Sequence, residues 1–145
     1  MATVEATHTG SRESGGKGTH VALWVVQGVL GAAFLAAGLS HLFAPIEQLR
    51  AQNPWIGGAM GEYVRFIGMA ETLGAIGLVL PAATRIKPSL TPLAALGLTT
   101  VMVLAAITHV ARGEAFMISV NGVIGGLSAF VAWGRWRKAP IAPRA

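Results

Sequence analysis

An all-α membrane protein, a four-transmembrane-helix bundle with both termini cytoplasmic, is what this sequence predicts. Of its 145 residues 53% are hydrophobic and 12% charged, and its mean hydropathy is +0.59, too apolar for a soluble domain of this size. Charged residues are absent from 21–44, 90–111 and 115–134, and enter 66–83 only as Glu71. Each stretch is close to the ~20 residues an α-helix needs to cross ~30 Å of hydrocarbon. The expected spans are 21–44, 63–83, 90–111 and 115–134, within a membrane domain at 21–137. A polar tail at 1–20, expected to be disordered, precedes it, and a short basic tail at 138–145 follows.

The first span carries Gly28, Gly31, Ala32, Ala36 and Gly38 at spacings that let a second backbone approach closely, and it ends at Pro45. The apolar run is longer than the core of a usual signal peptide, so this helix is expected to be retained. In the connection that follows, 46–50 reads as a helical turn lying in the interface, with Trp55 at the headgroups. The second span starts near Glu62 and sets Gly68, Glu71, Gly74 and Gly77 at successive steps of three, and Pro81 is expected to close it. A short basic loop leads to Thr91, which offers an N-cap oxygen, and Pro92 suits the first helical turn. The third span ends at Thr108 and His109, and a tight turn at 112–114 returns the chain into the fourth, with Asn121, Gly122, Gly125 and Gly126. Gly68, Gly74, Gly77 and Gly125 are the expected helix-packing positions. Leu35-Ala36-Ala37 before Ser40-His41 is echoed by Leu104-Ala105-Ala106 before Thr108-His109, a weak repeat that suggests a parallel pair of helical hairpins.

The net charge of +5 does not indicate nucleic acid, because the basic residues flank apolar spans and form no motif on a soluble face. Arg12, Lys17, Arg85, Lys87, Arg135, Arg137, Lys138 and Arg144 fall on one side, and only Arg50, Arg65 and Arg112 on the other. The positive-inside rule therefore puts both termini in the cytoplasm. Trp24, Trp133 and Trp136 mark the inner boundary, and Trp55 and Tyr63 the outer one. With no cysteine, the chain has no thiolate metal site, iron–sulfur cluster or thiol–disulfide chemistry of its own.

Glu71 stands out, because an ionisable group inside a span is costly unless paired and is a functional-site hypothesis by default. At 1.5 Å per residue it lies ~12 Å below Tyr63, and Asn121 ~9 Å below Ala115, both in the outer half. His41, Glu62, Arg65, His109, Arg112 and Glu114 ring the outer helix ends, which together describe a polar funnel open to the outside. Arg65 is six residues from Glu71, ~9 Å along the axis and on another face, so it is better placed for Glu62 or Glu114. That leaves Glu71 to His41, His109, Asn121 or water. A protonated Glu71 can donate to a carbonyl oxygen such as that of a quinone. The simpler alternative makes Glu71 and Asn121 hydrogen-bond glue between helices, and His41 and His109 caps of helix ends. Haem ligation by the two histidines is disfavoured by their position at the membrane edge, and no ligand spacing supports a metal site. The half of the bundle between Gly77 and Ala95 offers almost no polar side chain, against a continuous ion path through one subunit.

The stretch 31–45 with Ala37-Gly38-Leu39-Ser40-His41-Leu42-Phe43, the helix Arg65-x-x-Gly68-x-x-Glu71-x-x-Gly74-x-x-Gly77 followed by Pro81, and Thr108-His109 with Arg112-Gly113-Glu114 resemble the DoxX-like family of small four-helix membrane proteins. The resemblance covers most of 31–137. It implies a compact bundle in a bacterial cytoplasmic (inner) membrane. Relatives are linked to quinone-dependent oxidoreductases and other membrane redox complexes, and animal relatives assist receptor assembly. Many members carry a lysine at the outer end of helix one, where this chain has His41, a group that titrates near neutral pH.

Three functions follow as expectations. The first is an accessory subunit of a quinone-linked membrane oxidoreductase system, with Glu71, Arg65, His109 and Asn121 lining an outward-facing pocket. The second is a non-catalytic membrane chaperone or assembly partner that docks its small-residue faces on another protein's helices. The third is a small permease, which would need a homo-oligomer to form its path.

Overall fold

The computed structural model describes residues 9–53, 56–57 and 60–144, with side chains left out at 9–15, 60 and 62. Four long helices, α1 (Thr9–Phe43), α3 (Met60–Thr84), α4 (Leu90–Ala111) and α5 (Ala115–Trp133), alternate in direction. A short α2 (Ile46–Gln52) lies between the first two, and one π-helical turn (Gly134–Lys138) continues α5. Among the described residues there is no strand. Apolar windows at Gly16–Phe43, Tyr63–Thr84, Leu90–Ala111 and Ala115–Lys138 are each long enough to cross a membrane. Trp55, His8, Pro54 and Gly58 lie outside the described residues.

Small residues set the packing. At Gly38 and Gly68 the α1 and α3 backbones touch. A Cβ on Gly38 would stand 2.8 Å from the Thr72 amide nitrogen and 2.9 Å from the Gly68 carbonyl oxygen, and one on Gly68 would stand 2.8 Å from the Gly38 carbonyl oxygen. Further along, Gly31 faces Val79, while on the next seam Gly74 receives Leu98 and Gly77 faces Ala94 of α4. Gly125 of α5 lies against Met102 of α4, and Gly134 takes the end of Leu23. Thus α1 packs along α3, α3 on α4, and α4 on α5, while Leu23 and Gln27 join α1 to the turn after α5.

The core side chains include Leu30, Phe34, Ala75, Leu78, Leu98 and Met102, and a smaller cluster of Leu49, Ile56 and Val64 sits under α2. Val25, Val29, Leu73, Ile76, Leu93, Val103, Ile107 and Val123 point outward and are exposed. Such an apolar surface is solvated by lipid, so helix association rests on close packing and interhelical hydrogen bonds.

The structure corrects four expectations. Residues 9–20, expected in the disordered tail, continue α1 as helix, because extending an existing helix adds one hydrogen bond for each residue fixed. Pro81 does not close α3, which runs a further turn to Thr84. Proline removes one bond, to the Gly77 carbonyl four residues earlier, and crowds that turn without ending the helix here. Thr91 is not an N-cap. α4 starts at Leu90, and the amides of Leu90 and Thr91 donate to the carbonyls of Lys87 and Pro88 at 3.0 and 3.1 Å.

Finally, the half of the bundle near the termini is not bare of polar groups. Gln27, Thr91 and Ser128 are fully buried there, and Arg135 is 3% exposed. Ser128 donates to its own helix at Ile124 O, and the Gln27 amide donates to Leu78 O, on the turn that Pro81 disrupts. The sequence of a single span shows which residues are polar but not that helix packing buries them. What separates the two ends is instead the apolar middle layer of Leu30, Phe34, Ala75, Leu98 and Met102.

Gly38→Ala should destabilise the bundle by about 1–3 kcal/mol or more, because the new methyl meets backbone that cannot yield. Gly122→Ala, where nothing lies within 4 Å, should change stability by less than about 0.5 kcal/mol. Reversible unfolding in mixed micelles checks both.

Candidate functional site

The backbone contact at Gly38 and Gly68 places the residues one turn further on. His41 and Glu71 each follow their glycine by three positions, so they face each other across the same seam. Nδ1 of His41 lies 2.7 Å from Oε2 of Glu71, and the side chains are 15% and 7% exposed. Among the described residues Arg65 pairs with no carboxylate. Its NH1 donates to the His41 carbonyl at 2.7 Å and its NH2 to the Ala44 carbonyl at 2.8 Å. Arg65 therefore caps the C-terminal end of α1, where free carbonyls favour a cation. The expectation of an Arg65–Glu114 pair is overturned, since Glu114 is engaged elsewhere, and the Glu62 side chain lies outside the described residues.

The second histidine repeats the first in a different setting. Nδ1 of His109 lies 2.5 Å from Oε2 of Glu114, and Arg112 Nε donates to Oε1 of the same carboxylate at 2.8 Å. Gly113, with φ +71°, lets the chain turn tightly enough to bring Glu114 back over the end of α4. Hydrogen bonds from His109 first, and from Arg112 second, hold the Glu114 carboxyl below its ordinary value of 4.5. His109 thus does not reach Glu71, and the two histidines cap no carbonyls through these nitrogens. Among the described residues no three His or carboxylate side chains gather in one place.

Asn121 joins neither pair. It is half-buried on α5, and its Nδ2 is buried without a hydrogen-bond partner. Of the expected site residues, the structure brings together His41, Glu71 and Arg65 in one group and His109, Glu114 and Arg112 in another. The first group joins α1 to α3, and the second sits at the turn between α4 and α5.

Chemically, His41 and Glu71 can hold one proton between Nδ1 and Oε2 as a coupled unit. Arg65 fixes the backbone of His41, so the ring is positioned from two sides.

Sequence reasoning passed over a third polar group, near the termini. Arg135 Nε donates to Gln27 Oε1 at 2.5 Å, and its guanidinium stands 5.2 Å from the centre of the Trp24 ring. The available signal was that Gln27 is the sole amide side chain in 21–44 and Arg135 the first charge beyond the fourth span.

The sequence profile of the DoxX-like family matches residues 25–131. The chain belongs to the DoxX-like family. No curated protein and no solved structure matches it. The DoxX-like region takes in both His–Glu pairs and Arg65, and it stops short of His20 and Arg135. With its four apolar helices, this DoxX-like protein is a multi-pass membrane protein.

Arg65→Met leaves two carbonyls at the end of α1 without donors and should cost about 2–4 kcal/mol, measured by micelle unfolding. Glu114 has a lowered folded-state pKa, so its contribution to stability is present above about pH 4.5 and lost as pH falls further. The melting temperature of the wild type should therefore drop across that range more than that of Glu114→Gln, which has no carboxylate to protonate.

Proposed function

We propose that this DoxX-like protein is an accessory subunit of a quinone-linked membrane oxidoreductase system in a bacterial cytoplasmic membrane. In this reading the His41–Glu71 pair gives a proton to, or takes one from, a quinone or similar lipid-soluble carrier, while the electrons come from the partner complex. One observation carries it: a buried carboxyl 2.7 Å from an imidazole, inside a membrane-spanning helix. Ionisable groups in such places mark proton relays and ligand sites more often than packing. The charge bias supports a position for the pair at the extracytoplasmic face, since most Lys and Arg flank the other end. Arg65 supports the reading by holding the backbone carbonyl of His41 at the end of α1.

A second reading, a membrane assembly partner, is favoured by Gly28, Gly122 and Gly126, which have open space around them and leave room for another protein's helix. A permease is disfavoured by the apolar layer between the two ends.

Glu71→Gln and His41→Gln should each lower quinone-linked oxygen uptake in native membrane vesicles by about tenfold or more, with the protein still present in the membrane. Native mass spectrometry with an absorption spectrum should then find quinone on the wild type. Unchanged respiration, with a stable protein partner and no quinone, would overturn this reading in favour of the second.

A further inference from the structure

We propose that the end of the bundle bearing the termini holds a binding site for a phosphate group, built around Arg135. A guanidinium carries a permanent charge and five N–H donors. At 3% exposure Arg135 is withdrawn from water, yet its hydrogen-bond partners are neutral: Gln27 Oε1 from Nε at 2.5 Å and Ala139 O from NH1 at 3.2 Å. NH2 is buried with no partner. Among the described residues no carboxylate pairs with it, the ion pairs being His41–Glu71, His109–Glu114 and Arg112–Glu114. A buried cation without an anion costs several kcal/mol, so this arrangement is incomplete as it stands.

The remaining contact of Arg135 is weaker than it looks. NH1 lies 3.3 Å from His20 Nδ1, while the Trp24 indole N–H donates to His20 Nε2 at 3.0 Å. A neutral imidazole has one accepting nitrogen and one N–H, and an indole nitrogen only donates. If Nε2 accepts from Trp24, Nδ1 carries the proton and cannot accept from Arg135. With acceptors from Gln27 and Ala139, the guanidinium is therefore short of a third among the described residues, on the side where His20, an exposed residue, forms the wall.

That wall borders open space. Two adjoining clefts of about 530 and 670 Å³ lie between the start of α1 and the π-helical turn, with Gly16 and Lys138 common to both. His20 and Ala139, the contacts of Arg135, line the larger one together with Lys17, and Trp133 and Phe130 give the smaller an apolar side. Among the described residues, Cβ atoms added at Gly16 or Gly18 would meet nothing within 4 Å. Lys138 Nζ rests 5.4 Å from the centre of the Trp133 ring, at the cleft edge. Two lysines at the mouth and an under-satisfied arginine behind a displaceable histidine match a phosphate, whose several oxygens accept from Arg in parallel. The phosphate comes from a phospholipid headgroup, with its chains against the apolar side, or from a soluble phosphate.

The test uses the full-length protein in mild detergent, with native mass spectrometry after addition of phosphatidylglycerol or phosphatidylcholine, and thermal unfolding with inorganic phosphate. Retention of phosphatidylglycerol over phosphatidylcholine by about tenfold, weakened about fivefold for each lysine removed in Lys17→Gln/Lys138→Gln, supports the site with a lipid source. Arg135→Gln should abolish that retention. Arg137→Gln/Arg144→Gln removes the same charge away from the cleft and should leave retention as in the wild type. A rise in melting temperature with inorganic phosphate, lost in the lysine double variant and without lipid preference, supports the site with a soluble source. Equal retention of both lipids with no effect of phosphate overturns the proposal, as does equal weakening in the two double variants. Because Lys17 and Lys138 are exposed, their variant decides the matter even where Arg135→Gln fails to fold.

Discussion

Direct contact of two backbones, at Gly38 on α1 and Gly68 on α3, is the constraint from which the rest of the structure follows. In lipid there is no hydrophobic gain from bringing two apolar helices together, so the approach must be close enough for dispersion and polar contacts to hold it. Only hydrogen at both Cα atoms permits this approach, since a methyl on either glycine would press on the other helix's main chain. The contact fixes the register of α1 against α3. Three residues further along each helix, that register puts an imidazole against a carboxyl, and it brings the end of α1 within reach of Arg65. The His–Glu pair is therefore a product of glycine packing as much as of its own attraction.

Both hairpins end in a histidine whose Nδ1 meets a glutamate, but the two pairs differ in what holds them. His41 and Glu71 are brought together by helix packing, and their arginine binds carbonyls, so its charge is spent on the end of a helix. His109 and Glu114 are neighbours in sequence, joined by a turn, and their arginine binds the carboxylate itself. The His109–Glu114 pair is a local ionic clasp whose carboxylate is compensated by Arg112 as well. In the buried pair the imidazole and the carboxyl face each other at 2.7 Å across the seam between α1 and α3, with no turn of the chain joining them. The chain thus uses one residue combination as a fastening in one hairpin and, in the reading favoured above, as chemistry in the other.

Spans, turns and the small-residue seams were legible because hydropathy and glycine spacing are properties of single segments. Glu71 was legible as an anomaly for the same reason, and His41 stood among its candidate partners. For Arg65 the acceptors were weighed only among carboxylates, while the carbonyls at the end of α1 that it binds are invisible in a list of side chains. Pro81 was misread as a stop, since nothing in the residue itself reveals that Gln27 supplies a donor on the disturbed turn. The cluster of Gln27, Arg135, His20 and Trp24 joins positions far apart in the chain. No periodicity within one helix announces such a meeting.

Helix α1 runs through both polar ends and carries Gln27 at one and His41 at the other, 14 residues or ~21 Å apart along a continuous helix. Between them the core is apolar, so charge at one end is not passed to the other by a chain of hydrogen bonds. A rigid helix can still couple them mechanically. The Gly38–Gly68 contact resists sliding of α1 past α3, yet it lies near one end, and rotation about it would move the Gln27 end furthest. Gln27 holds Leu78 of α3 with its amide N–H and Arg135 with its oxygen, so it is the point at which such a rotation would be felt or opposed. An anion that draws Arg135 toward the cleft would pull on Gln27, and through α1 on the ring that faces Glu71. The two polar ends thus share two helices, α1 and α3, which meet at Gln27 and Leu78 at one end and at His41 and Glu71 at the other.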